Sequence, residues 1–361
     1  MSFVIDVLEL SGSPTAWGRA MGAALGQDRK RAEGFRRHVL EEAREVKGLP
    51  EFEERLFRAF RALVEREAPW VGDWLRGLAG ALPLPEEELW LYNFGSYFRD
   101  LARIRGAGAA PEGGCSTFAV SSTRDGPLLA KNRDCPASMG PWQVWVRVRP
   151  EAGLGWLALS SYGVAGASSS GMNEAGLAVA DTHVYSRDVG RGLPRFVLMA
   201  EILMRCRTVG EALAFLSRVP IMGRGNLLLA DGEGTLGLAE LGHSRLALRR
   251  LGAGFLVNTN HFTDPALAEA FVDVNPPSLR GTSQARHARL TTLLSGRGCQ
   301  GLEDAKRILS YHGDSLDSLC RHEEIDPPYR TICGVIYLPQ ARAVLYTGGY
   351  PCEGHYQRLG S

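Results

Sequence analysis

Gly113-Gly114-Cys115-Ser116-Thr117-Phe118-Ala119-Val120 is the stretch on which the reading of this chain turns. A run of small residues, Gly106-Ala107-Gly108-Ala109-Ala110-Pro111-Glu112-Gly113-Gly114, ends at a cysteine, and a β-like run begins there. The small-residue run reads as an exposed, flexible linker, because it has little apolar surface to bury. Gly114 has no side chain, so a thiol can approach its carbonyl closely. A cut before Cys115 leaves one residue with both a thiol and a free α-amine. Such an amine has a pKa near ~7.7, suited to a general base at neutral pH. A nucleophile activated by its own α-amine is an established arrangement.

Upstream of this junction the pattern is helical, after a short leading strand. Ala20 to Val46 is rich in Ala, Arg and Glu. Phe52, Leu56, Phe60 and Leu63 recur at helical spacing within Glu51 to Arg66. Pro85 followed by Glu86, Glu87 and Glu88 marks a helix start, with acids at the positive end of the dipole. Downstream the texture changes to strands. Leu128 to Lys131, Val144 to Val148 and Trp156 to Ser161 are β-like. Ala167 to Met172 and Leu177 to Asp181 read as a hairpin joined by Asn173-Glu174-Ala175-Gly176. Helices are predicted at Arg195 to Cys206, Val209 to Leu216, Ser278 to Leu294 and Glu303 to Leu309. Strands are predicted at Asn226 to Ala230, Leu236 to Leu241, Arg245 to Arg249 and Phe255 to Asn258, with a last hairpin of Ile332 to Leu338 and Ala343 to Thr347. Hairpin clusters separated by helices predict two antiparallel sheets packed together with helices outside, an α+β fold. A parallel doubly wound sheet needs strict βαβ alternation, which is absent.

The composition bounds the function. The chain has 361 residues, 45% hydrophobic and 22% charged, the profile of a globular protein. A net charge of +1 supplies no field for nucleic acid or an anionic membrane, and neither partner is expected. The cysteines, Cys115, Cys135, Cys206, Cys299, Cys320, Cys333 and Cys352, are odd in number and scattered, which argues for reduced thiols. The N-terminus lacks a basic region followed by an apolar core, and no apolar run approaches the ~18 residues of a membrane span. A cytoplasmic location is the expectation. Oligomeric state is left open, a homo-oligomer included.

Further segments carry chemistry. Lys131-Asn132-Arg133-Asp134 is expected at the end of the strand after Cys115, with Lys131 and Arg133 on one face and Asn132 and Asp134 on the other. A hairpin brings this tetrad beside Cys115, where Asp134 can accept from the α-ammonium. Asn258-Thr259-Asn260-His261-Phe262 closes an apolar strand, and an Asn amide is a suitable oxyanion donor. His261 also invites a Cys–His dyad with Cys115. In Ser318-Leu319-Cys320-Arg321-His322, Arg321 suits a carboxylate or transition-state clamp. The spacing of His312, Cys320, His322 and Cys333 fits no zinc pattern, so no metal and no other cofactor is expected.

Together these motifs resemble the isopenicillin N acyltransferase family, self-cleaving cysteine members of the N-terminal nucleophile (Ntn) hydrolases, and more distantly the bile-salt hydrolases. The resemblance runs through Gly12-Ser13-Pro14, Gly18-Arg19-Ala20-Met21-Gly22, Gly114-Cys115-Ser116-Thr117 and Asn132-Arg133-Asp134. It continues through Gly171-Met172-Asn173-Glu174-Ala175-Gly176-Leu177, Thr259-Asn260-His261, Cys320-Arg321-His322 and Gly348-Gly349-Tyr350-Pro351-Cys352. It implies a four-layer αββα sandwich and cleavage between Gly114 and Cys115. Residues 1–114 would form a helical N-terminal region and 115–361 the catalytic core, the two staying associated. It implies Cys115 as nucleophile, Asp134 orienting the α-amine and Asn260 stabilising the oxyanion. Lys131, Asn132, Thr182, His261 and Arg321 fall at or near the substrate. Bile-salt hydrolases carry Arg at the position of Lys131, and the side chains of Ala180 to His183 differ from both groups, so no particular substrate carries over. The implied partner is a small N-acyl amide or acyl thioester. Two other readings stay open: an unprocessed thiol hydrolase using Cys115 and His261, and an inactive scaffold that binds an acyl ligand.

Overall fold

Strand alternation decides how this chain layers. In Val144-Trp145-Val146-Arg147-Val148 the three valines pack against helices, while Trp145 packs against a second sheet. The computed structural model describes residues 4–106, 114–314, 316–322 and 329–360. Among them β1 (Val7–Gly12) leads into α1 (Pro14–Gly26), α2 (Arg29–Lys47), α3 (Glu54–Glu67), α4 (Trp70–Ala81), α5 (Glu86–Phe94) and α6 (Ser96–Ile104). Then follow β2 (Ser116–Val120), β3 (Leu128–Pro136), β4 (Gln143–Pro150), β5 (Trp156–Ser161), β6 (Ser170–Asn173) and β7 (Ala178–His183). After α7 (Arg195–Arg205) and α8 (Val209–Leu216) come β8 (Gly225–Ala230), β9 (Leu236–Leu241), β10 (Leu246–Leu251) and β11 (Phe255–Asn258). The chain ends with α9 (Pro265–Ala268), α10 (Thr282–Ser295), α11 (Leu302–Leu309), β12 (Tyr329–Leu338), β13 (Ala343–Gly348) and β14 (Gln357–Gly360).

The strands make two sheets. An 8-stranded sheet runs β1-β4-β5-β6-β7-β8-β9-β10, and a 6-stranded sheet runs β11-β2-β3-β12-β13-β14. Every pairing is antiparallel except β1 with β4. Trp145, Leu159, Leu228, Val335 and Tyr337 form the core between the sheets. Phe118 and Ile336 on the outer face of the smaller sheet meet Leu290 and Ile308 of α10 and α11. On the other side, α1 to α8 cover the larger sheet in one continuous core that joins Trp17, Phe35 and Trp90 to Val146, Leu198 and Leu227. The result is the αββα sandwich that the resemblance implies. Residues on both sides of Cys115 share the core of the helical layer. No helix among the described residues is long and apolar enough to cross a membrane.

Several boundaries differ from the sequence reading, each for a local reason. The helical stretch Ala20 to Val46 breaks in two, because the Asp28 carboxylate caps α2 by accepting from the N–H groups of Lys30 and Arg31. The helix expected from Ser278 begins at Thr282, behind the left-handed Gly281 and a turn at Pro277–Leu279. Lys131 to Asp134 lie inside β3 rather than at its end, since β12 pairs with it as far as Pro136. β14 adds an edge strand that short alternation did not signal. Residues 107–113 of the expected linker lie outside the described residues.

α1 and α4 cross with backbones in contact. A Cβ on Gly77 would overlap the Thr15 carbonyl oxygen, and one on Gly18 would overlap the Trp74 carbonyl oxygen. Gly77→Ala improves helix propensity by up to about 1 kcal/mol, but forced overpacking costs about 1–3 kcal/mol or more. The steric cost dominates, because the neighbouring atoms are backbone. Gly77→Ala is expected to lower the midpoint of urea unfolding, and an unchanged midpoint would show that the two helices can part freely.

Candidate active site

The β2–β3 hairpin pairs Ser116 with Asn132. It sets Cys115 beside the far end of β3: the Gly114 N–H donates to the Asp134 carbonyl at 3.3 Å, and Cys115 Sγ lies 4.0 Å from the same oxygen. Cys115 is buried, with 7% of its surface exposed. Alternation along β3 sorts the tetrad as expected. Arg133 points between the sheets, donating to Ser161 Oγ at 2.9 Å and to the Ser160 carbonyl at 3.3 Å. Lys131 Nζ donates to the Ser169 carbonyl, the Asp181 carbonyl and Asp181 Oδ1 at 3.0, 2.7 and 2.6 Å. Asn132, on the opposite face, donates from Nδ2 to the carbonyls of Leu309 and Leu319 at 2.8 and 2.7 Å.

Asp134 is fully buried. A register shift in β12 between Thr331 and Cys333 sets Thr331 opposite it. Thr331 Oγ1 donates to Asp134 Oδ1 at 2.7 Å and accepts from the Arg321 N–H at 2.9 Å. Oδ2 of Asp134 has no hydrogen-bond partner among the described residues. Burial pushes the carboxyl up to about 6, against the opposing pull of Arg321, Arg286, the Thr331 hydroxyl and Lys131. The Arg321 guanidinium packs so closely on Gly114 that a Cβ there would overlap Nη1.

A second strand end completes the site. After β11, the Thr259 to His261 loop is pinned by the first turns of α10. Thr259 Oγ1 donates to the Ser283 carbonyl at 3.0 Å, and the Asn260 N–H donates to Ser283 Oγ at 2.8 Å. Arg286 of α10 donates from Nη1 to the Cys115 carbonyl at 2.7 Å and to Ser116 Oγ at 2.9 Å. From Nη2 it donates to Asn260 Oδ1 at 3.0 Å. That bond fixes the amide orientation, leaving Nδ2 to donate to the His183 carbonyl at 2.9 Å. One Nδ2 hydrogen then remains for another acceptor.

The structure therefore gathers Cys115, Asp134, Asn260 and Arg321, with Arg286 bridging two of them. His261 is held differently: its Nδ1 meets Thr259 Oγ1 at 3.1 Å and Ser283 Oγ at 2.8 Å. Burial, with His287 and Arg286 nearby, lowers its pKa to about 4, so the ring is neutral. Thr182 is fully buried, with Oγ1 2.6 Å from the Thr259 carbonyl, and it ties β7 to the loop after β11. The hydrogen bonds of Lys131 and the amide N–H groups of Asn132 likewise lie within the fold. Burial pushes the thiols of Cys135 and Cys333 up to about 12 and those of Cys206 and Cys299 up to about 11, so none of these is a thiolate at neutral pH.

Sequence reading passed over Arg286. The available signal was an arginine at helical spacing with Leu290 and Leu294, on the face that α10 buries. It also passed over a buried ionic cluster at the end of β7. There Asp100 of α6 lies 2.9 Å from His183 Nε2 and pairs with Arg224, while Arg195 bonds Asp181 Oδ2 at 3.0 Å. Burial opposes ionisation of Asp100, but Arg224 and His183 outweigh it and hold the carboxyl down at about 2.

A family model described as acyl-coenzyme A:6-aminopenicillanic acid acyl-transferase matches residues 121–351. Among solved structures, the chain is similar to penicillin V acylase from Agrobacterium tumefaciens, at 18% identity over 64% of this chain and 82% of that one, with a TM-score of 0.45. It is also similar to a mutant of conjugated bile acid hydrolase from Clostridium perfringens, at 12% identity over 68% and 92% of the two chains, TM-score 0.45. A third is the Caenorhabditis elegans ortholog of N-acylethanolamine-hydrolyzing acid amidase, at 14% identity over 63% and 93%, TM-score 0.42. No curated protein sequence matches the chain.

Arg286→Met removes a buried charge whose hydrogen bonds serve Cys115, Ser116 and Asn260. It is expected to cost about 3 kcal/mol or more, because those acceptors stay buried without their donor. Urea titration measures this, and a midpoint equal to wild type would show that the loop and strand hold together without the arginine.

Proposed function

This chain belongs to the acyl-coenzyme A:6-aminopenicillanic acid acyl-transferase family, and from that premise we propose a self-processing cysteine amidohydrolase that acts on a small N-acyl amide. The observation that carries the reading is the setting of the Gly114–Cys115 peptide. A thiol, a buried carboxylate with an oxygen to spare and two buried guanidiniums converge on it.

Processing begins when Cys115 Sγ attacks the Gly114 carbonyl carbon. The C–N bond breaks as the C–S bond forms, and the Cys115 nitrogen takes a proton to become an amine. Water then hydrolyses the thioester. The new α-ammonium binds the spare oxygen of Asp134, which holds it beside its own thiol. Arg321, packed on Gly114, is placed to pair with the departing carboxylate.

On substrate, the α-amine takes the thiol proton and Sγ attacks the acyl carbonyl. The remaining Nδ2 hydrogen of Asn260 serves the oxyanion, a contribution worth about 3 kcal/mol. The α-ammonium returns its proton to the leaving amine, and water releases the acid from the Cys115 thioester. Hydrolysis is favoured over transfer because nothing among the described residues specifies a coenzyme A site. An acyl thioester would enter the same cycle. The bonds that hold His261 to Thr259 and Ser283 favour this reading over a Cys115–His261 dyad. The shared helical-layer core and the Asp100–His183–Arg224 cluster support continued association of residues 1–114 with 115–361.

Intact mass on a denaturing gel band is expected to show two fragments, the larger beginning at Cys115, and Cys115→Ala is expected to leave one full-length, inactive chain. A full-length wild-type chain with full activity would refute self-processing. Cleavage draws on ionised Asp134 to relay the Cys115 thiol proton to the departing nitrogen, and its carboxyl sits at about 6. The protonated fraction grows as pH falls, so the cleavage rate is expected to drop roughly tenfold per pH unit below that point. Asp134→Asn cannot ionise, so it is expected to cleave slowly at every pH with no limb near 6, and a variant that keeps the wild-type rate and profile would remove Asp134 from the role.

A further inference from the structure

Separated stretches of chain meet next to Arg321. His312 follows α11, Cys320 and His322 flank Arg321, and Cys352 lies in the turn after β13. His322 Nε2 is 3.1 Å from His312 Nε2, 3.7 Å from Cys320 Sγ and 3.5 Å from Cys352 Sγ. All four ligand atoms lie within 4.8 Å of one another. Zinc sits about 2.3 Å from sulfur and about 2.0–2.1 Å from nitrogen, so a tetrahedron around it spaces its ligand atoms about 3.3–3.8 Å apart. The three measured edges have nearly these lengths.

We propose that His312, Cys320, His322 and Cys352 bind one Zn²⁺ in a closed Cys₂His₂ site. Two thiolates neutralise the ion, and binding releases their two protons. Thiolate and imidazole together match the preference of zinc. Four protein ligands leave no open position, so the role is structural. The Tyr350 ring stacks on His322 at 3.9 Å and 13°, fixing the plane of that imidazole.

The sequence concealed the site for a topological reason. Spacing grouped Cys333 with His312, Cys320 and His322, but Cys333 is buried in β12 with its Sγ 3.7 Å from the Gly334 carbonyl. The β12–β13 hairpin instead returns Cys352, aided by the Gly349 N–H donating to the Ile332 carbonyl at 3.0 Å. Zinc here grips the chain immediately before and after Arg321, and so holds that guanidinium against Gly114.

The test is elemental analysis of untagged protein purified without chelator, which is expected to contain about one zinc per chain. His312 and Cys352 are exposed ligands, so His312→Ala and Cys352→Ser are expected to keep the wild-type circular dichroism spectrum. Both should lose zinc affinity by more than the about 10–100-fold that an outer-shell change costs. Co²⁺ added to chelated wild-type protein is expected to give the visible bands of tetrahedral thiolate coordination. This measurement decides the matter even if a variant misfolds. Wild-type protein without zinc and without the cobalt bands would overturn the proposal. So would a Cys320–Cys352 disulfide that persists after purification with a thiol reductant. Metal content is read independently of turnover, so failure here leaves the proposed activity standing.

Discussion

Charge balance around a carboxylate sealed from water is the constraint on which this structure depends. An isolated buried ion costs several kcal/mol, so Asp134 is tolerable only with cations in reach. Arg286, Arg321 and Lys131 supply them. Each cation is then tied to something else. Lys131 shares Asp181 with Arg195, and Arg195 bonds His183 Nδ1 at 3.1 Å. His183 continues to Asp100 on α6, where Arg224 closes the series. A series of buried polar contacts therefore runs from Lys131 to the helical layer, and it fixes β3, β7 and α6 relative to one another. Removing one member leaves its neighbours buried without compensation.

What the sequence disclosed follows the range of the interactions involved. Period-2 alternation is a property of adjacent residues, so the two faces of Lys131-Asn132-Arg133-Asp134 were legible. So were the hairpins and the layering of helices outside sheets. That Cys115, Asp134, Asn260 and Arg321 lie together was legible because each sits at the end of, or within, a recognisable local element, and the family resemblance supplied their order. Arg286 was not, because its meaning comes from the docking of α10 across β2 and β11. Cys352 was not, because only the pairing of β12 with β13 carries it to Cys320 and His322. Lys131, Asn132 and Thr182 were legible only in part. The resemblance set them at or near the substrate, and the structure adds that their hydrogen bonds join strand to strand and sheet to helix.

The β12 irregularity at Thr331 and Cys333 shows how a small backbone defect serves a site. An unbroken ladder would set a different residue opposite Asp134. With the shift, one hydroxyl accepts from the backbone of Arg321 and donates to the carboxylate. The geometry of the carboxylate and of the arginine segment is thereby set by the same side chain.

The core shared by residues on both sides of Cys115 has a thermodynamic consequence. In the uncut chain, the helical layer and the sheets find one another as parts of a single molecule, and association costs only the closure of a loop. A chain severed ahead of Cys115 would keep every packed contact but lose that tether. Its unfolding would yield two species, and its recovery would depend on protein concentration and carry the full translational cost of a bimolecular encounter. The folded form would then persist because its unfolding is slow, having been assembled while the chain was still one piece.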